Sequence, residues 1–101
     1  SGARAIEIAG QIFSGPVERY KSHTAHFGQI LAIDGSSIDS ALLLVMRAPK
    51  SYTGEETVEI HCHGGSIASR RVLTRILEAG ARAAEPGEFS LQAFLNGKLD
   101  L

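Results

Sequence analysis

The chain contains 101 residues, of which 44% are hydrophobic, and it carries a formal net charge of −1. This length supports one domain, residues 1–101, with a core of modest size. Ten basic residues against eleven acidic ones argue against a surface that neutralises nucleic-acid phosphates by itself. One cysteine forms no internal disulfide, and no apolar run approaches the ~20 residues of a membrane span. We therefore expect a soluble domain in the cytoplasm, without a membrane partner.

The first predicted element is a helix within residues 1–13, because Ala5, Ile8 and Ile12 recur at helical spacing. The glycine and proline of residues 14–23 then predict a loop. The sequence begins without a methionine and ends directly after a helix-like pattern. We therefore expect it to be a fragment of a longer protein.

A first strand is predicted within residues 24–33. Alternation places four apolar residues on one side of it, although a glutamine at position 29 interrupts the stripe. These four residues are Ala25, Phe27, Leu31 and Ile33.

A hairpin turn at Asp34-Gly35 is predicted to join this strand to a returning strand within residues 37–48. The returning strand contains a continuous apolar run from Ala41 to Met46. Such a run predicts a central strand that is covered on both faces, or nearly so.

The stretch "TVEIHC", residues 57–62, predicts a third strand with clear alternation. Val58, Ile60 and Cys62 fall on one face, which we expect to be buried, and Glu59 and His61 fall on the other.

A second helix is predicted to begin with Ser66 as its N-cap and to end at Gly80. Residues 81–89 contain a short strand candidate and a turn, and residues 90–97 predict a last short helix. The apolar face of the second helix consists of Ala68, Val72, Leu73, Ile76, Leu77 and Ala79. The predicted fold class is therefore α+β, a two-layer sandwich with helices on one face of a mainly antiparallel or mixed sheet.

The segment from Glu59 to the Gly-Gly pair that follows His63 allows three interpretations. A zinc site is disfavoured because strand neighbours point to opposite faces and no second ligand pair exists. A thiol nucleophile at Cys62 is disfavoured because a cysteine on a buried face behaves as a small apolar side chain. A strand that turns at the glycines into a helix could instead present Glu59 and the helix N-terminus to a ligand. Solvent-exposed carboxylates with no ligand remain the alternative.

Two longer motifs carry a family resemblance. The sequence "YTGEETVEIHCHGG" resembles the pattern FTGED-x-x-E-[LF]-x-x-HGG. The sequence "LEAGARAAEPGEFSLQAFLNGKLDL" resembles GAR-x-A-x-PGEF-[ST]-x-RAFLN-x-KLDL. Both patterns are similar to the N-terminal domain of the tRNA-modifying GTPase family MnmE/TrmE, and the likeness extends over nearly the whole chain.

This resemblance implies a folate-binding and dimerisation module, with a fold like that of the folate-binding domain of aminomethyltransferases. In the family, a longer GTPase acts with a flavoprotein partner, MnmG or GidA, to modify the wobble uridine of tRNA. A tetrahydrofolate derivative, in the 5-formyl or methylene form, supplies the one-carbon unit. GTP, magnesium and potassium belong to a GTPase domain that this chain lacks, since it contains no G-x-x-x-x-G-K-[ST] motif.

The resemblance also implies two cofactor-binding residues, Glu59 and Lys98, and no catalytic or metal-binding residue. One carboxylate can accept the N–H and amino groups of a pterin together, and a lysine can pair with a folate carboxylate. The family's arginine lies in a strand that would precede Ser1. We therefore expect the 101-residue chain alone to fold but to bind folate weakly or not at all.

Two other functions remain as alternatives. A stand-alone aminomethyltransferase-like or metal-dependent enzyme domain would require a second half-domain or a bound metal. A dimer module that has lost its ligand is the second alternative, and the presence of Glu59 and Lys98 argues against it.

Overall fold

A computed structural model of the protein describes residues 1–48 and 54–82. The described residues form a three-stranded antiparallel sheet in the order β1-β2-β3. The elements in chain order are α1 (Ala5–Ile12), a 3-10 helix (Val17–Arg19), β1 (Thr24–Leu31), β2 (Ser37–Met46), β3 (Thr57–Cys62) and α2 (Ser66–Glu78). The predicted α+β class is confirmed, as is the order of the first five predicted elements. The predicted last strand and last helix lie outside the described residues.

Both helices lie on the same face of the sheet, where α1 contacts β3 and α2 contacts β2. The buried residues of α1 are Ile6, Ala9 and Ile12, which recur every three positions along one side of the helix. Beneath them the sheet contributes three fully buried side chains, Ile30, Leu43 and Val45. Burial of this apolar surface between the two layers stabilises the domain. Within the described part of the chain, no helix is long and apolar enough to cross a membrane.

The residues that directly follow α1 contact β1. Phe13 forms an isolated antiparallel bridge to Ile30. Next to it, Ser14 donates its backbone N–H to the carbonyl of Gln29 at 3.0 Å, and its Oγ accepts the Gln29 N–H at 2.9 Å. These reciprocal bonds satisfy the backbone of Gln29 on the outer edge of β1, where no strand is paired among the described residues.

Of the predicted stripe of β1, Ala25 and Phe27 lie on the side of the sheet opposite the helices, where they pair with Leu44 and Leu42 of β2. The predicted alternation does not continue to Leu31 and Ile33, because the register shifts between Ile30 and Leu31. Phe27 is 65% exposed and Ile33 is 76% exposed. Apart from Ile30, the helix-facing positions of β1 carry no aliphatic side chain. Tyr20 stacks on the ring of His26 there, with centroids 3.4 Å apart. At Gly28 an added Cβ would lie only 2.6 Å from Cζ of Phe13.

The hairpin between β1 and β2 turns at the predicted dipeptide. The Gly35 N–H donates to the carbonyl of Ala32 at 2.9 Å, and Gly35 adopts a φ of 89°, a left-handed conformation that favours glycine. The hydroxyl and the backbone N–H of Ser36 both donate to Oδ1 of Asp34, at 2.6 and 2.9 Å. These two hydrogen bonds to the charged form lower the pKa of the Asp34 carboxyl.

The position of β2 at the centre of the described sheet is confirmed. Three of its helix-facing side chains, Ala41, Leu43 and Val45, are completely buried. Coverage is less complete on the other face, where Leu42 is 37% exposed and Leu44 is half-buried. The expectation of a strand covered on both faces, or nearly so, is therefore confirmed on the helix side and wrong at Leu42.

The predicted N-cap of α2 is wrong, whereas its predicted end at Gly80 is confirmed. Gly65 occupies the N-cap position without a side-chain hydrogen bond, and Ser66 is the first helical residue. At the other end, the N–H of Gly80 donates to Leu77 and the N–H of Ala81 donates to Ile76. This is the Schellman pattern, and Gly80 has the positive φ, 120°, that it commonly requires.

One arginine of α2 joins three segments of the fold. Arg75 donates Nε to the carbonyl of Leu31 at 2.8 Å and Nη2 to the carbonyl of Gln11 at 3.5 Å, and its side chain is only 12% exposed. The Gln11 carbonyl belongs to the last turn of α1, where a cation interacts favourably with the helix dipole. Arg75 therefore connects both helices to the end of β1.

Candidate functional site

The face of the sheet opposite the helices carries the predicted site residue Glu59. In the strand register, Glu59 lies opposite Leu44, and Leu44 lies opposite Ala25. The adjacent row on the same face consists of Phe27, Leu42 and His61. We call this surface the open face, defined by Ala25, Phe27, Leu42, Leu44, Glu59 and His61.

Glu59 and His61 contact each other on the open face. They are two residues apart on β3, so their side chains point to the same side, and Oε1 of Glu59 lies 3.1 Å from Nε2 of His61. The side chain of Glu59 is 28% exposed and that of His61 is 44% exposed. The carboxylate is thus reachable from solvent while one of its oxygens is held by the imidazole.

The remainder of the open face is mainly apolar. Phe27 and Leu42 are exposed on it, and His63, just beyond β3, meets the Phe27 ring edge-on with centroids 5.7 Å apart. A surface of this kind suits one face of a flat, uncharged ring system. The carboxylate of Glu59 could then bind polar groups at the edge of the same ring system.

The connection from β3 to α2 is fixed by Asp39 of β2. Its Oδ2 accepts the backbone N–H of His63 at 3.1 Å and that of Gly64 at 2.8 Å. An added Cβ on Gly64 would lie 2.5 Å from the Cβ of Ala68, so only glycine fits without a shift. These two N–H groups at the junction are therefore bound within the protein. The predicted turn through the glycines is confirmed. A role for the N–H groups at the start of α2 in ligand binding stays a prediction.

Cys62 lies on the helix-facing side of β3, half-buried and packed against the buried cluster. This placement agrees with the alternation that puts Val58, Ile60 and Cys62 on the core face. Glu59 and His61 are on the opposite face, so the strand separates them from the thiol. Among residues 1–48 and 54–82, no group of three or more metal-ligand side chains is arranged to hold an ion.

Lys98, the second predicted cofactor-binding residue, lies outside the described residues. The structure therefore places one of the two predicted binding residues, Glu59, and adds two side chains that the sequence reasoning did not assign. His61 was placed on the correct face, but its contact with Glu59 was not predicted, although an i, i+2 Glu–His pair on a strand is a usable signal. Asp39 gave no local signal, because its partners lie 24 and 25 residues away.

Apart from the open face, the described residues form a groove of about 520 Å³ between the β1–β2 hairpin and α2. Its lining includes Ile33, Ile38, Arg70, Arg71 and Thr74. Glu59, the predicted site residue that the structure describes, does not line this groove, and Arg75 at its base is used in the structural contacts described above.

The sequence was compared with known proteins. It matches the family described as "GTP-binding protein TrmE N-terminus" over residues 1–98. It is 57% identical over 101 residues to the tRNA modification GTPase MnmE of Protochlamydia amoebophila, covering 100% of this chain and 22% of the relative. The corresponding proteins of Chlamydia abortus and Symbiobacterium thermophilum are each 54% identical, with 100% of this chain and 23% of each relative covered.

The chain thus spans less than a quarter of the length of these curated relatives. The family match, however, includes every described residue and the strand that carries Glu59. The chain therefore belongs to the family of the TrmE N-terminus.

Proposed function

We propose that this chain is the folate-binding and dimerisation domain of a longer tRNA modification GTPase. In this proposal the longer protein acts in the cytoplasm with an MnmG-type flavoprotein on the wobble uridine of tRNA. A tetrahydrofolate derivative supplies the one-carbon unit when bound. GTP and its metal ions belong to a separate GTPase domain.

The main support is the position of Glu59 within a chain that matches the TrmE N-terminal family over residues 1–98. Its carboxylate is partly exposed on the open face, beside the apolar side chains of Leu42 and Leu44. A pterin carries an N–H and an amino group side by side on one edge of a flat ring. A carboxylate accepts such a pair in bidentate fashion, and the neighbouring leucines can contact the ring.

Two further parts of the proposal come from the family resemblance. Lys98 would pair with a carboxylate of the folate tail as a point charge. Dimerisation would occur through this domain, which can be tested by light scattering on the longer protein. A mass equal to one chain over the whole accessible concentration range would contradict this part of the proposal.

The test of ligand binding uses the longer protein and 5-formyltetrahydrofolate, with affinity measured by isothermal titration calorimetry. We expect Glu59→Gln to weaken binding by at least about 10-fold, since the loss of a hydrogen bond to a charged group is of that size. The substitution is nearly isosteric, but it replaces one acceptor oxygen with an NH₂ group that would face the donors of the pterin.

A matched control is Glu7→Gln on α1. Glu7 is exposed, and its ion pair with Arg4, at 3.3 Å, lies on the helical side of the domain. Exposed pairs of this kind contribute little to stability, so the affinity should equal that of the unchanged protein. Equal affinity for Glu59→Gln and Glu7→Gln would overturn the assignment of the folate site to Glu59.

A further inference from the structure

We propose that His61 is a positioning residue of this site, which holds the Glu59 carboxylate in the orientation that a planar ligand requires. This inference rests on the proposed function, because it concerns the same carboxylate. The supporting observation is the 3.1 Å contact between Nε2 of His61 and Oε1 of Glu59 on the open face.

The backbone fixes the relative position of the two side chains. Glu59 and His61 are paired in register with Leu44 and Leu42 of the central strand. Their spacing of two residues on a regular strand puts both side chains on the same face. The imidazole therefore approaches the carboxylate from a defined direction along the strand.

This contact does not compete with a ligand for the carboxylate. Each carboxylate oxygen has two lone-pair sites, so Oε1 can accept from the imidazole and from a ligand N–H together. A bidentate ligand needs both oxygens in one plane, whereas a free glutamate side chain rotates about several bonds. A hydrogen bond from His61 to one oxygen limits this rotation before the ligand arrives, and preorganisation of this kind raises affinity.

The surroundings of the pair strengthen this effect. Leu42 and Leu44 lie beside the two side chains on the neighbouring strand, and Phe27 continues the same row as His61. An apolar neighbourhood excludes part of the water that would otherwise screen the contact. By comparison, the ion pair between Arg4 and Glu7 has both side chains more than half exposed.

The experiment measures the affinity of the longer protein for 5-formyltetrahydrofolate by calorimetry in three variants. His61→Leu and His61→Asn both remove the donor that reaches Glu59, while His61→Gln places an amide N–H near the position of Nε2. We expect the first two to bind about 10-fold more weakly and His61→Gln to remain within about 2-fold of the unchanged protein. A merely structural role would not predict rescue by glutamine.

The unfolding temperature of each variant identifies any substitution that fails to fold, and His61→Asn replaces His61→Leu in that event. Unchanged affinity in a folded variant without the donor would overturn the role of His61. If Glu59→Gln weakens binding by about 10-fold or more in the same series, the proposed function survives that outcome. If Glu59→Gln also has no effect, the proposed function fails as well.

Discussion

Oδ2 of Asp39 lies 2.8 Å from the backbone nitrogen of Gly64, so that β2 holds the turn leading from β3 into α2. The same oxygen accepts the N–H of His63. One carboxylate oxygen thereby accepts two consecutive N–H groups, and the N–H of His63 also donates to the carbonyl of Ser40 at 3.3 Å. This contact determines how the strand that carries Glu59 connects to the following helix.

Replacing Asp39 should destabilise the domain. We expect Asp39→Ala to lower the free energy of unfolding by about 1–3 kcal/mol, because two backbone donors lose a charged acceptor. Asp39→Asn, which keeps one acceptor oxygen, should give a smaller loss. Urea denaturation followed by circular dichroism measures both values, and a fully stable alanine variant would show that Asp39 does not hold the turn.

The two glycines of the junction should differ in their tolerance of alanine. The Cβ of Gly64→Ala would meet Ala68 at 2.5 Å, whereas at Gly65 nothing lies within 4 Å of an added Cβ. Overpacking of this kind costs about 1–3 kcal/mol, so Gly64→Ala should be clearly less stable than Gly65→Ala. The midpoints of thermal unfolding compare the two variants directly, and equal midpoints would contradict the close approach of α2 to the junction.

Adjacent leucines of β2 provide a test of which face is buried. Leu43 is completely buried under the helices, and Leu42 on the open face is 37% exposed. We expect Leu43→Ala to cost about 2–5 kcal/mol of unfolding free energy. Leu42→Ala should cost distinctly less, since it leaves no closed cavity. A reversed order of the two values would mean that the helices cover the other face.

Ser36 should control the pKa of Asp34 at the hairpin. Ser36→Ala removes the hydroxyl donor but keeps the backbone N–H, so the pKa of Asp34 should rise towards its ordinary value. A lowered pKa in the folded state stabilises the fold above the unfolded-state value, and this contribution disappears as the pH falls through the folded-state pKa. Carboxyl chemical shifts recorded by NMR between acidic and neutral pH measure the change. Ser37→Ala is the control, because the Ser37 hydroxyl donates to Gln29 instead, and a matching shift in that variant would argue against a specific effect of Ser36.

Parts of the fold could be predicted from the sequence where apolar and polar side chains alternate clearly along one strand. Val58, Ile60 and Cys62 face the helices as expected, because every core-facing position of β3 has an apolar side chain. The end of α2 at Gly80 was also predictable, since a helix that ends in the Schellman pattern commonly needs a residue with positive φ.

The helix-facing side of β1 could not be recognised from the sequence, because its composition is unusual for a buried face. It carries His26, which is covered by Tyr20, and Gly28, which leaves room for Phe13. Both covering side chains come from earlier in the chain, so no periodicity within the strand could reveal them.

For the candidate site, the sequence could assign Glu59 and His61 to one face of a strand but could not identify their neighbours. The rows that place Leu44 beside Glu59 and Leu42 beside His61 depend on the register between β2 and β3. Register depends on the loop connecting the strands and on the packing of both faces, which are properties of the whole domain. The role of Asp39 at the junction was hidden for the same reason.

The two hydrogen bonds donated by Arg75 have a consequence for how the domain folds. Their two acceptors, on Leu31 and Gln11, lie 44 and 64 residues away along the chain. Contacts between such distant segments form only after large loops have closed, and they slow folding relative to local contacts. The guanidinium therefore stabilises the state in which both helices are assembled on the hairpin. It does not contribute to the earliest folding steps. Partly folded molecules that lack either helix lack at least one of these two hydrogen bonds, which favours a cooperative transition to the complete domain.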